Sequence, residues 1–343
     1  MSSGLEADAA RESTVIGALL RAFARRKELP PEFRLEGQTA VITGGNTGLG
    51  LEASRQLLKT GLSNLVIGVR SQSRGDAAAN LLRDEFPNVE ICVWIVDMAS
   101  YKSVRQFSEQ CATLPRIDIV ILNAGLMMAS YTTVTDTGHE TIFQVNYLSN
   151  VLLAILLLPV LKAKKDVGAS RPPVISIIGS DTMYQPEFWP EMKGPVFQQF
   201  DKPEGFGSFP RYGATKFLLS FFVSRLAELV NPADVLINIG NPGGTKNTSL
   251  GRDASMIFQV FFTVVQFFLM RSLESGASMY LYAVLNSDSV NHGSFFSDWT
   301  TKPYPKPWYT EEGQAFRKRL WEETMEELNF AGASAIVQGM RTM

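Results

Sequence analysis

Short β-branched runs recur along the chain: TAVIT (39–43), LVIGV (65–69), EICVWI (90–95), DIVIL (118–122), VISII (174–178) and VLINI (235–239). Several are apolar almost throughout, as strands covered on both faces must be. Between them lie segments of helical length and period, such as GLGLEASRQLLKT after the first run and SYKSVRQFSEQCA after the third. This alternation predicts an α/β, doubly wound fold: one parallel sheet with helices on both sides, and ligands beyond the carboxyl ends of the strands. Residues 1–36 precede the first run and hold the helix-spaced apolar positions Ile16, Leu19, Leu20 and Phe23 before a break at Pro30 and Pro31. They are expected to form a helical arm, with residues 37–300 as a single core domain. The stretch HGSFFSDW would add a last strand, and residues 301–343, with a charged helix near 311–328, would cover the core.

Composition narrows the class. Of 343 residues, 45% are hydrophobic and 19% charged, enough for a sizeable core and unlike a disordered or disulfide-stapled chain. With 32 Lys plus Arg against 34 Asp plus Glu, no general basic field exists to hold phosphodiester backbones, so nucleic acid is not an expected partner. Cys92 and Cys111 are too few for a disulfide framework and have no metal-ligand spacing, which fits a reducing, cytoplasmic setting without a bound metal. The histidines His139 and His292 lie near no nucleophile elbow and read as ordinary surface or loop residues. No transmembrane span is expected. The N-terminal apolar stretch is short, and the apolar segment 256–270 has 15 residues, interrupted by Gln259, Thr263 and Gln266, against about 20 needed to span.

The strongest local signal follows the first run: Thr43-Gly44-Gly45-Asn46-Thr47-Gly48-Leu49-Gly50, which opens a helix. Glycines there let the backbone turn sharply and approach a pyrophosphate, and the helix start offers unpaired N–H donors. A preference for NAD would place a carboxylate at the end of the second strand. The sequence has Val69-Arg70 there, and Arg70, with Ser71 and Arg74, is suited to a 2′-phosphate. NADP(H) is therefore the expected cofactor, with solvated loop charges as the plainer reading of the two arginines. Downstream, Tyr212-Gly213-Ala214-Thr215-Lys216 spaces Tyr and Lys four apart on one helix face. An ammonium held there would favour the phenolate and lower the tyrosine pKa, making a usable acid or base for a carbonyl–alcohol pair.

Together these residues resemble the short-chain dehydrogenase/reductase family. The matches are Thr43-Gly44-x-x-x-Gly48-x-Gly50, Asn123-Ala124-Gly125, Asn146, Ser180 and Tyr212-x-x-x-Lys216, five motifs in order across residues 39–300. The flavour of GGNTGLGLEASRQLL and YGATKFLLSFFVSRLAELV looks like the retinol-dehydrogenase-like branch, and within it fungal enzymes tied to secondary metabolism. The resemblance implies a Rossmann fold with Tyr212 as general acid/base, Lys216 lowering its pKa and holding the nicotinamide ribose, Ser180 bonding the substrate oxygen, and Asn146 anchoring a water in a proton relay. It implies that Gly44, Asn46, Thr47, Gly48, Leu49 and Gly50 line the pyrophosphate. Asp97 and Met98 would meet the adenine, and Asn123, Ala124 and Gly125 would wall the adenosine side. Near Pro242 and Gly243 a hydroxyl should contact the carboxamide. The run PGGTKNTSL is about one residue longer than usual and leaves Thr245 and Thr248 as rivals for that contact.

On the substrate side, residues 253–271 fall where the family places its lid, with Phe258, Phe261, Phe262, Phe267, Phe268 and Met270 giving a broad apolar surface. A pocket wall is one reading; an oligomer contact or a helix lying on a membrane surface are the others. The stretch between Ser180 and Tyr212 carries Tyr184, Phe188, Trp189 and Phe197, as pocket wall or as loop packing. A bulky hydrophobic ketone or secondary alcohol is expected, polycyclic or of polyketide or terpenoid type. The family resemblance also suggests a homodimer through the helices of Asn146 and Tyr212, where Phe217, Leu218, Phe221 and Phe222 exceed one buried stripe. The competing class is non-redox: proton transfer, cyclisation or dehydration on the same fold, or an NADP-binding sensor.

Overall fold

In the computed structural model, residues 1–27, 33–166, 168–246 and 270–341 are described. Each predicted run becomes a strand: β1 (Thr39–Thr43), β2 (Asn64–Val69), β3 (Glu90–Ile95), β4 (Ile119–Leu122), β5 (Val174–Ile178) and β6 (Leu236–Gly240). With β7 (Phe295–Ser297) and β8 (Thr300–Lys302) they form one sheet in the order β3-β2-β1-β4-β5-β6-β7-β8, parallel except for the β7–β8 hairpin. The order reverses between β1 and β4, which opens a crevice at their carboxyl ends. Successive side chains of a strand point to opposite faces, so Val41, Val120 and Ile175 enter one core layer while Ala40, Ile42, Ile119 and Val174 enter the other.

Helices α3 (Gly48–Lys59) and α4 (Gln72–Glu85), together with α8 (Leu273–Leu285), cover the second layer. The first is covered by α5 (Tyr101–Cys111), by α6 (Thr141–Ala163) and by α7 (Ser208–Leu229). Helix α6 is long and apolar enough to cross a membrane, but 89% of its most apolar window is buried, as a central core helix requires.

The apolar excess on α7 has a different use from the one expected. Phe217, Leu218, Phe221 and Phe222 are fully buried within the chain itself. Helix α9 (Glu311–Glu327) lies over them: Phe316 sits 6.0 Å from Phe217 and 5.4 Å from Phe221, and Trp321 stacks on Phe222 at 5.1 Å. Helix α10 (Ala333–Gly339) packs against α6 in the same way. These four side chains are therefore covered by the chain's own C-terminal helices.

The β7–β8 hairpin was only half expected. Its strands have three residues each, and the connecting pair Asp298-Trp299 takes positive φ, +56° and +53°, without the Asn-Gly signature such turns favour. Both histidines lie in loops, half-buried, as expected, and both have fixed partners. His139 meets Asp201 at 2.7 Å and Glu327 at 3.2 Å; burial lowers its pKa, but these two carboxylates lift it to about 9. His292 accepts from the Ile237 N–H through Nδ1 and meets the Ala227 carbonyl through Nε2. Both are structural, because each is enclosed by backbone or carboxylate partners.

Residues 1–27 form an arm with helices α1 (Glu6–Glu12) and α2 (Val15–Ala22). Its usual polarity is inverted: Ile16, Leu19, Leu20 and Phe23 are exposed, whereas Arg21 is buried. The arm docks through polar groups. The Ser2 amide donates to Ser294 Oγ, the Phe295 amide donates to Ser2 Oγ, and Lys302 pairs with Glu12 at 3.0 Å.

Candidate active site

A cavity of about 1260 Å³ occupies the crevice at the carboxyl ends of the strands. The glycine turn forms its floor. Gly44 and Gly48 have φ of +66° and +54°, a region that disfavours any side chain with a Cβ. At Gly50 a Cβ would stand 2.4 Å from the Gly44 carbonyl oxygen and 2.7 Å from Asn123 Nδ2. Thr47 precedes α3 without capping it, so the first N–H groups of that helix remain available beside Asn46, Thr47 and Leu49 on the cavity wall. This cradle fits a pyrophosphate.

Asn123, at the end of β4, ties the cradle together. Its Nδ2 donates to the Thr43 and Gly44 carbonyls at 2.9 and 3.2 Å, and its Oδ1 accepts from the Tyr280 hydroxyl at 2.8 Å. The Ala124 N–H donates to Thr43 Oγ1, and a Cβ on Gly125 would lie 3.2 Å from Asn146 Oδ1. Arg70, Ser71 and Arg74 line one end of the cavity with Asp97 and Met98, and both arginines are exposed. Among the described residues no carboxylate pairs with either arginine, so an anion would meet both unneutralised.

Ser180, Tyr212 and Lys216 gather at the other end, with Pro242, Gly243 and Thr245. Thr245 donates to the Gly243 carbonyl at 3.1 Å; its rival Thr248 and the lid segment 253–269 lie outside the described residues. Burial pushes the Tyr212 phenol up to about 12, with its Ser180 hydrogen bond pulling the other way. The Lys216 ammonium donates to the Ile178 carbonyl at 2.7 Å and stands 5.5 Å from the centre of the Tyr212 ring, while burial brings its own pKa down to about 8. Desolvation disfavours the charged form of both groups, which raises the phenol and lowers the ammonium.

Asn146 lies within a π-helical turn over Gln144–Leu148 and fixes the chain after Asn123-Ala124-Gly125. Its Oδ1 accepts from the Leu126 N–H at 2.8 Å and its Nδ2 donates to the Leu126 carbonyl at 2.9 Å. Of the aromatics between Ser180 and Tyr212, Phe188 and Phe209 reach the cavity; a Cβ on Gly213 would meet the Phe188 ring at 2.6 Å. Tyr184 donates to the Pro303 carbonyl, Trp189 to the Met183 carbonyl, and Phe197 packs on Phe143. These three are packing. Sequence reasoning missed Tyr280, whose type and position carry no motif, and the cavity residues Arg21, Asp181, Asn241 and Arg271, which come together only in three dimensions.

A glycine cradle at the switch point of a doubly wound sheet, opposite a buried Tyr-Lys pair with Ser180 beside it, defines a dinucleotide-binding α/β protein. The family model for short chain dehydrogenases matches residues 38–180. Short chain dehydrogenase virL from Hypocrea virens is 55% identical over 341 residues, covering 99% of each chain, and short chain dehydrogenase/reductase mfmJ from Annulohypoxylon moriforme is 40% identical, covering 91% of this chain and 90% of its own. The chain belongs to the short-chain dehydrogenase/reductase family, a family of NAD(P)-dependent oxidoreductases. Among solved structures, an NADPH-bound short chain oxidoreductase from Pseudomonas aeruginosa with an atypical catalytic center shares the fold, at a TM-score of 0.58 and 22% identity over 77% of this chain and 96% of its own.

Proposed function

We propose that the protein is an NADPH-dependent ketoreductase acting on a bulky hydrophobic ketone in fungal secondary metabolism. The observation that carries this reading is one cavity holding Arg70 and Arg74, without carboxylate partners among the described residues, at one end and Ser180 with Tyr212 at the other. The cofactor would supply a hydride. A phenol with a pKa of about 12 keeps its proton at neutral pH, the form that protonates a ketone; alcohol oxidation would need the phenolate. Ser180 Oγ and the Tyr212 hydroxyl hold the substrate oxygen, and Tyr212 gives its proton as negative charge develops there. Lys216, with a pKa of about 8, is mostly cationic at neutral pH and supports that charge.

The volume supports a large substrate, since about 1260 Å³ exceeds the 300–1,000 Å³ of ordinary ligand sites and would take both a dinucleotide and a substrate. Leu126, Met127, Met128, Phe188, Phe209 and Met270 give the substrate end an apolar wall. Close fungal relatives along the full chain, led by virL, support a biosynthetic setting. The test is NADPH consumption with a panel of polycyclic ketones, with Tyr212→Phe as control. Product formed from such compounds without NADPH oxidation would replace the redox reading with proton-transfer, cyclisation or dehydration chemistry.

A further inference from the structure

Six charged side chains, three of each sign, meet behind Ser180: Glu12 and Arg21 from the arm, Asp181 beside the serine, Arg271 before α8, and Asp298 and Lys302 from the β7–β8 hairpin. Arg21 pairs with Glu12 through Nη1, and its Nε, which makes no hydrogen bond, faces Asp181 Oδ2 as an ion pair at 3.4 Å. Its guanidinium also lies 4.9 Å over the Tyr184 ring. Asp181 accepts through Oδ1 from Asn241 Nδ2, and the Ser297 hydroxyl adds a longer bond of 3.3 Å. Asn241 in turn accepts through its own Oδ1 from the Gly243 N–H at 3.1 Å.

That sequence of contacts has a direction. An ionised Asp181 can only accept, so it turns the Asn241 amide with its nitrogen inward and its oxygen toward Gly243. The orientation fixes the Pro242-Gly243 turn, the part of the cavity wall next to Tyr212 and Lys216. Burial works against an ionised Asp181, and Arg21 is the first charge that opposes it. Arg271 clamps the same turn from the other side: it donates to the Pro242 carbonyl at 3.3 Å and the Arg21 carbonyl at 2.7 Å, and pairs with Asp298. Asp298 and Trp299 hold positive φ, and the Trp299 ring lies 4.8 Å under the Arg271 guanidinium. Strain of this kind persists where the surroundings enforce it, and here it aims a carboxylate and a ring at one guanidinium.

We infer that Arg21, delivered by the N-terminal arm, is a positioning residue for the cofactor turn and for Ser180, acting through Asp181 and Asn241. The arm is then part of the active site, and Ala18, Arg21 and Ala22 already line the cavity. The inference rests on the dinucleotide reading of that cavity but not on the identity of the ketone, so its test reads NADPH binding by nicotinamide fluorescence on the full chain.

Arg21→Met should raise the NADPH dissociation constant about tenfold at neutral pH, and Arg21→Lys should recover part of that loss. Without Arg21, Asp181 faces Asp298, Glu12 and the Tyr184 ring, with Arg271 as the nearby cation, and takes up a proton more readily. Raising the pH should therefore restore the carboxylate and narrow the gap between variant and wild type. A purely structural role would leave that ratio flat. Asp181→Ala, which keeps Arg21 paired with Glu12, should weaken NADPH binding to a similar degree without the pH-dependent recovery. In the wild type, NADPH should slow amide hydrogen exchange over residues 1–27, as reciprocal coupling requires. Unchanged affinity in a folded variant, or arm exchange indifferent to NADPH, would overturn the inference. A wild type that binds NADPH but reduces no ketone would overturn the redox reading alone, and the affinity ratios would still decide the role of Arg21.

Discussion

The two ends of the cavity are made of different material. At the glycine-turn end the shape is in the backbone: left-handed Gly44 and Gly48, a Gly50 with no room for a methyl group, and an uncapped start to α3. At the Ser180 end the shape is in side chains from five separated segments, tied by ion pairs and hydrogen bonds from Glu12 to Lys302. A backbone-built site needs particular residues at adjacent positions and tolerates little else. One built from distant side chains can be rewired one partner at a time.

Four substitutions or titrations probe this contrast, in falling order of effect. Tyr212→Phe removes the proton donor and should lower kcat for ketone reduction by roughly a hundredfold to ten-thousandfold while NADPH still binds, measured by steady-state kinetics and fluorescence. Gly50→Ala forces a methyl group against the Gly44 carbonyl oxygen and should cost about 1–3 kcal/mol of stability, with NADPH affinity falling alongside it in thermal-shift titrations. A freely accepted alanine would show that the cradle is less rigid than its contacts suggest. Arg70→Ala should weaken NADPH about tenfold and NADH hardly at all, the size of one charged hydrogen bond lost. Equal loss of both would remove the case for a 2′-phosphate.

The last is a titration. Lys216 has a pKa lowered to about 8, so reduction rates should hold below that pH and fall as it is passed, and Lys216→Arg should move the fall upward. A separate signature belongs to His139. Its folded pKa of about 9 exceeds the usual 6.5, so its contribution to stability is fully present below about pH 6.5 and is lost as pH rises through 9. His139→Gln should flatten that part of the melting-temperature profile.

Much of the first end was legible in the sequence because its signals are local. TAVIT followed by GGNTGLG states strand, turn and helix within a dozen residues, and Asn123-Ala124-Gly125 states the next turn. The six parallel strands were legible for the same reason, as runs apolar on both faces. The hairpin at Asp298-Trp299 was not, because its turn lacks the residues that announce one and its reason for being strained is Arg271, 27 residues away. Nor was the inward face of α2, where periodicity favours Ile16, Leu19, Leu20 and Phe23, yet the buried contact is a single arginine whose partners are Glu12 and Asp181. The apolar excess on α7 was visible but its partner was not, since a hydrophobic face looks the same whether a second copy or the chain's own tail covers it. Tyr212 and Lys216 were found by spacing, whereas their pKa values depend on how deeply the fold encloses them.

That covering tail bears on how the protein behaves in dilute solution. Where Phe316 and Trp321 seal α7, and α10 seals α6, the support behind Tyr212 is covalently attached and present at unit stoichiometry at every concentration. Specific activity should then stay constant through serial dilution, as activity measurements over a range of protein concentrations would check. A nick in the residues 303–310 that lead into α9 would turn a permanent intramolecular neighbour into one that can diffuse away.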